Sequence, residues 1–212
     1  MKGITFGNLH SYRDLKLVLG EKEIGAPSVK KKILEIEGAD GFIDYTDFFD
    51  EPKYGEAKHV FPFTTLVPRS DFLSHYSIVK NALHGKKLPI ILDDDPGFYY
   101  VGRCYVSKFT NEKGVGTISV ECECEPYKYK IDKTVVTQAV NGTEVITLTN
   151  SRKRAVPVIT TTAAMTIAFG DGIWTTSAGT YTIPELELVE GDNLVSVIGT
   201  GSITFTWQEG SM

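Results

Sequence analysis

The chain has 212 residues, 42% of them hydrophobic, enough to fill one large domain or two of about 100 residues each. Its 22 basic and 27 acidic residues leave a net charge of −5, which disfavours nucleic-acid or anionic-membrane binding, because such partners reward a basic face. The opening MKGITFGNLHSYRDLK has no signal-peptide core, and no run approaches the ~20 apolar residues that a bilayer requires, so no membrane insertion is expected.

Ile4 to Phe6 and Leu15 to Leu19 read as short strands on either side of GNLHSY. His10 sits in that turn without a nearby ligand partner and reads as a satisfied turn or interface histidine. The run SVKKKILEIEG alternates as a strand entering a turn at Asp40 and Gly41, and its lysines, Lys30 to Lys32, read as a solvated edge that discourages stray pairing.

Ile36 to Phe63, IEGADGFIDYTDFFDEPKYGEAKHVFPF, carries two apolar-alternating runs about Asp40-Gly41 and a second turn signal at Glu51-Pro52. Phe42, Tyr45, Phe48 and Phe49 crowd one short region that also holds Asp40, Asp44, Asp47, Asp50 and Glu51. That is too much charge to bury alone and too much aromatic surface to leave in water. Aromatic anchors inside a polar rim compose an interface, so the stretch reads as an arm reaching over another part of the chain or over another subunit.

From Ser70 to about His84 the period changes. Phe72, Tyr76, Val79 and Leu83 recur at helical spacing, with Leu73 widening the stripe; Ser70 or Asp71 is expected to cap the start, and Gly85 to stop the helix. LPIIL and FYYVGRCYVSKF follow as strands around DDDPG, where Asp93 to Asp95 lack the spacing of a calcium loop and read as a hairpin tip. In TISVECECEPYKY, Val120, Cys122 and Cys124 share one face and glutamates the other, a half-buried strand whose thiols pack inward. Three cysteines without a secretion signal are expected free, with Cys104 leaving the count short of a zinc site; no metal and no cofactor are expected.

Pro126 and YKYKIDK mark the expected boundary between domains at 1–130 and 131–212. Beyond it, TVVTQAV and TEVITLT are joined by Asn141-Gly142, AMTIAFG and IWTT by Asp171-Gly172, and YTIPELELV, NLVSVIG and SITFTW by EGD and GTG. Each junction is a turn signal, which predicts an antiparallel sandwich of seven or eight strands. Trp207 is expected in its core and Trp174 partly exposed beside a hairpin, where it is the candidate sugar contact.

The segments GADGFIDYTD and PKYGEAKHVFPF, with ITFGNLHS, FYYVGRCYVSKF and ELELVEGDNLVSVIGTGSITFTWQEG in that order, resemble the distal tail protein (Dit, or phage tail component) family of long-tailed phages and prophages. The resemblance covers nearly the whole chain. It implies a mainly β fold: an α+β, sandwich-like N-terminal domain with one helix and a protruding hairpin arm at about 36–63, then a galectin-like antiparallel β-sandwich. It also implies a structural virion protein, assembled in the host bacterial cytoplasm as a homohexameric ring. That ring joins the tail tube protein to the baseplate or to a tail-associated lysin or fibre protein. The subunit-interface residues expected on the arm are Asp40, Gly41, Phe42, Tyr45, Phe48, Phe49 and Tyr54.

No GxSxG elbow, HExxH, P-loop or Cys–His pairing in a recognisable context is present, and no catalytic residue is expected. Two other readings remain open on sequence: a carbohydrate-binding module for host cell-wall saccharides formed by 131–212, and an all-β hydrolase.

Overall fold

The structure is a computed structural model that describes residues 2–38, 40–48 and 51–212. It divides into two compact units, Met1–Lys128 and Tyr129–Met212, and it is mainly β, as the sequence predicts.

The first unit contains β1 (Ile4–Phe6), β2 (Leu9–His10), β3 (Leu17–Leu19), β4 (Glu23–Ile24), β5 (Ile33–Glu35), β6 (Phe42–Asp44) and β7 (Ala57–Thr65). A 3-10 turn at Arg69–Asp71 leads into α1 (Phe72–Leu83), followed by β8 (Lys87–Leu92), β9 (Phe98–Glu112) and β10 (Val115–Cys124). Its main sheet is antiparallel in the order β2-β1-β8-β9-β10-β7-β3, with β4 also on β7. In β7 alternation decides the faces: Ala57, His59, Phe61, Phe63 and Thr65 point inward, while Lys58, Val60, Pro62 and Thr64 point out. Phe6 meets Phe61 and Phe63 edge-on at 6.1 and 6.2 Å, at the centre of a core shared with Ile90, Ile118 and the buried thiols.

Helix α1 buries Phe72, His75, Val79 and Leu83. His75 therefore occupies the stripe position expected of Leu73, which is 69% exposed. A buried imidazole is tolerable there because both nitrogens are satisfied: Nε2 donates to the Leu15 carbonyl at 2.7 Å, and Nδ1 accepts from the Thr65 hydroxyl at 2.6 Å. Neither Ser70 nor Asp71 caps the helix with its side chain; the Ser70 hydroxyl donates to the Asp71 carboxylate instead, and the 3-10 turn supplies the entry. Gly85 follows the helix at φ 79°, as a left-handed stop requires.

The second unit contains β11 (Lys128–Lys130, entering from the boundary), β12 (Thr134–Asn150), β13 (Val158–Thr161), β14 (Met165–Phe169) and β15 (Gly172–Thr176). It closes with β16 (Gly179–Thr182), β17 (Gly191–Trp207) and β18 (Gly210–Ser211). Two expected turns are absent. Asn141-Gly142 lies inside the continuous 17-residue β12, and Gly199-Thr200-Gly201 lies inside the continuous 17-residue β17, the two strands pairing along their whole length. Gly142, at φ 90°, stands opposite Gly199, so the ribbon bends at a glycine pair where the sequence suggests a reversal. Beyond the bend β17 changes neighbours: Ile203–Thr206 pair with β13 and Ser196–Gly199 with β14. The remaining hairpin is present one residue earlier than expected: β14 and β15 are joined through Gly170-Asp171, and Gly172 already pairs with Phe169. Val140, Ile146, Leu148, Ile167, Val197, Phe205 and Trp207 fill this unit's own core.

Candidate functional site

Between β4 and β7 the chain leaves the first unit's sheet and returns. The departing leg hydrogen-bonds the returning one, Gly55 N to Ser28 O at 2.7 Å and Lys30 N to Lys53 O at 2.8 Å, with a bridge between Val29 and Tyr54. At the base the chain passes so close to β7 that a Cβ on Gly25 would lie 2.3 Å from the Lys58 carbonyl oxygen. At the tip β5 and β6 form their own two-stranded sheet, pairing Ile33 with Asp44, Leu34 with Ile43 and Glu35 with Phe42. The arm thus spans 25–56. It begins earlier than the expected 36–63 and ends before Ala57, because Phe61 and Phe63, placed in the arm on sequence, are fully buried in β7.

The tip exposes apolar side chains on both faces. Leu34, Ile43, Tyr45 and Phe48, with Lys32, line a groove of about 550 Å³ on one face, while Ile33 and Phe42 stand on the other. Local hydrogen bonds fix the groove's shape. Lys32 N donates to Thr46 Oγ1, and Thr46 N donates to Asp44 Oδ1, both at 2.9 Å. The bonds from Thr46 hold the Asp44 carboxyl below the usual carboxylate range.

Of the residues expected on the interface, Asp40 and Gly41 lie in the exposed loop that leads into β6, Gly41 at φ 84°, and the loop is longer than the two-residue turn expected there because Glu35 is paired with Phe42; Phe42, Tyr45 and Phe48 are exposed on the tip. Tyr54 lies apart from them, half-buried on the returning leg with its ring edge-on to Tyr127 at 6.2 Å. Phe49 falls outside the described residues. Leu34 and Ile43 escaped the sequence reading, which weighed aromatic rings; the cross-strand pair that LEI and FID make about the loop holding Asp40 and Gly41 was the available signal.

The other residues singled out on sequence have partners of their own. Asp93 accepts from Gly3 N at 2.7 Å and from His10 Nε2 at 3.0 Å; His10 Nδ1 in turn accepts from Tyr12 and Arg13 backbone amides, which fixes the tautomer. Partial burial pushes the Asp93 carboxyl up, but the His10 and Gly3 bonds outweigh it and hold it low. Asp94 pairs with Lys22, and Asp95 with Lys128 at 2.7 Å, so the three carboxylates diverge to three separate partners instead of converging on one point.

Cys104 and Cys122 face each other across β9 and β10 with sulfurs 3.5 Å apart, both free and fully buried. The hydrogen bond to Cys104 and burial push the Cys122 thiol up, and burial pushes Cys124 to about 12. Trp207 is buried, its Nε1 donating to Asn150 Oδ1 at 3.1 Å. The Trp174 indole is half-buried against the second core and lies back over Gly172, where an added Cβ would sit 2.1 Å from the ring.

The chain is similar over 100% of both lengths, at 14% identity and a TM-score of 0.71, to Dit (gp 19.1) of phage SPP1, described as a paradigm of the hub adsorption apparatus in phages infecting Gram-positive bacteria. The mainly β fold expected from the resemblance to the distal tail family is therefore the fold of this chain. No protein-family model matches the chain, and no curated protein matches it in sequence.

Proposed function

We propose that this chain is a structural protein of a phage tail tip. Six copies close into a ring through the hairpin arm, between the tail tube protein and the baseplate or a tail-associated lysin or fibre protein. The first unit forms the ring, the second serves as an outward-facing galectin-like module, and neither catalyses a reaction. Assembly takes place in the cytoplasm of the host bacterium, and the final location is the virion tail.

The observation that carries this reading is the arm tip. Leu34, Ile43, Tyr45 and Phe48 converge on one groove with more than two fifths of each side chain exposed. Burying one such side chain fully is worth about 1.5–3 kcal/mol, and an exposed apolar cluster of this kind with the Lys32 side chain at its edge has the composition of an association surface. Likeness of the whole chain to a hub protein supports the same reading.

The test is the Ile43→Ser, Phe48→Ser double variant, studied by light scattering with the parent alongside. Loss of the high-mass species with an unchanged cooperative melt supports the arm as the ring contact. An unchanged assembly would remove the arm from it.

A further inference from the structure

Strand β12 is hydrogen-bonded to a neighbour on one side only: among the described residues β17 is its one partner strand, along all 17 positions. From Thr134 to Thr143 it contains no charged residue and no proline. Edge strands are ordinarily blunted by lysine, proline, a bulge or shortness, because a row of free N–H and C=O groups accepts any strand that fits. The other edges of this sheet are short, with five residues in β15 and four in β16; β12 is protected by none of these devices.

Its middle is open to solvent. Val135 is 57% exposed, and Thr137, Gln138 and Ala139 are exposed as well. The outer face beside it is low and even. Thr137 hydrogen-bonds Thr204 at 2.9 Å, Thr204 stands opposite Thr160, and Thr160 bonds Thr180 at 3.1 Å, a row of four threonines across four strands. No bulky side chain rises there to obstruct an incoming strand.

We propose that this edge pairs with the same edge of a second copy of the chain, antiparallel, joining two second units into one continuous sheet. Residues directly opposite each other share a face of the sheet while successive residues alternate, so a two-fold pairing must set one residue opposite itself. Centring on Thr137 uses the whole straight run from Thr134 to Val140 before the bend at Gly142. In that register Val135 meets Ala139 of the second copy, Val136 meets Gln138, and Thr134 meets Val140. Thr137 meets itself, hydroxyl to hydroxyl. No charge faces a charge, and the next pair out sets Lys133 against Asn141. The segment is its own complement, and the contact uses no residue of the arm.

Amide hydrogen exchange on the full chain, followed over 134–140 across about a hundredfold range of concentration, reads this contact directly. Protection should rise with concentration. Thr137→Glu alone and Thr137→Lys alone each set like charges opposite one another and should weaken the pairing about fivefold, with melts like the parent's. An equimolar mixture of the two should regain the protection. Protection independent of concentration, protection persisting in both single variants, or protection lost in both and not regained on mixing would each overturn the proposal.

Discussion

Leu34 and Ile43 stand directly opposite each other across the hairpin of the arm, and each keeps about half of its surface in water. A cross-strand aliphatic pair normally belongs to a core. Here it lies at the tip of an excursion whose legs are already closed at the base by the Ser28–Gly55 hydrogen bond. The tip therefore contributes little to the stability of its own subunit. Replacing 30–53 by a short Gly-Ser turn should change stability by less than about 1 kcal/mol, a shift in Tm within about 2–4 °C, while abolishing assembly. A large fall in Tm, read by calorimetry, would place the arm in the subunit's own stabilising structure.

His59 gives the fold a pH dependence of definite sign. It is buried in β7, its Nδ1 accepts from Gly25 N at 3.2 Å, and its Nε2 has no hydrogen-bond partner among the described residues. The Tyr100 ring lies edge-on 4.6 Å away. Burial depresses its folded pKa, against a smaller opposing backbone contact at Lys58. The unfolded chain therefore binds the proton first. Stability is fully present above the unfolded value of about 6.5 and is lost as pH falls toward the depressed folded value, at up to about 1.4 kcal/mol per pH unit. Denaturant melts at pH 7.5, 6.5 and 5.5 should show this slope, and His59→Gln should flatten it. An equal slope in the variant would assign the effect elsewhere.

Asp93 and Asp94 act in a separate, more acidic window. Both carboxyls are held below their usual values, so what they contribute is present above about pH 4 and is lost as pH falls through the folded values. His10→Ala should remove part of this acid-range loss while leaving the His59 slope intact. Melts of that variant below pH 4 are the check.

The three thiols should be inert. With Cys104, Cys122 and Cys124 fully buried and the Cys124 thiol pushed up to about 12, a thiol reagent should label none of them in the native protein and all three after unfolding. Elemental analysis should find no stoichiometric zinc or calcium. One native-state label, or one bound metal per chain, would contradict the packing described for β9 and β10.

Much of the first unit was legible because its signals are short-range. The helical stripe, the inward thiols of β10 and the turn at Asp93 to Gly97 each follow from the spacing of a few residues. Sequence reasoning failed where a local signal had two uses. Asn-Gly and Gly-Thr-Gly permit positive φ, which serves a hairpin turn and a bend in a continuous strand alike; only the pairing of Gly142 with Gly199 decides between them. Leu73 lost its place to His75 for a similar reason. Buried acceptors and donors at Leu15 and Thr65 satisfy the imidazole, and they are 60 and 10 residues away. The arm's groove was half legible: its aromatic rings were visible in the sequence, while Leu34 and Ile43 needed the register.

Imaging of purified particles of the full chain at high concentration, and of the chain within its tail, tests the central claim most directly. A closed ring with six-fold symmetry is the expected result. A chain that remains monomeric under every condition, the assembled tail included, would contradict the account.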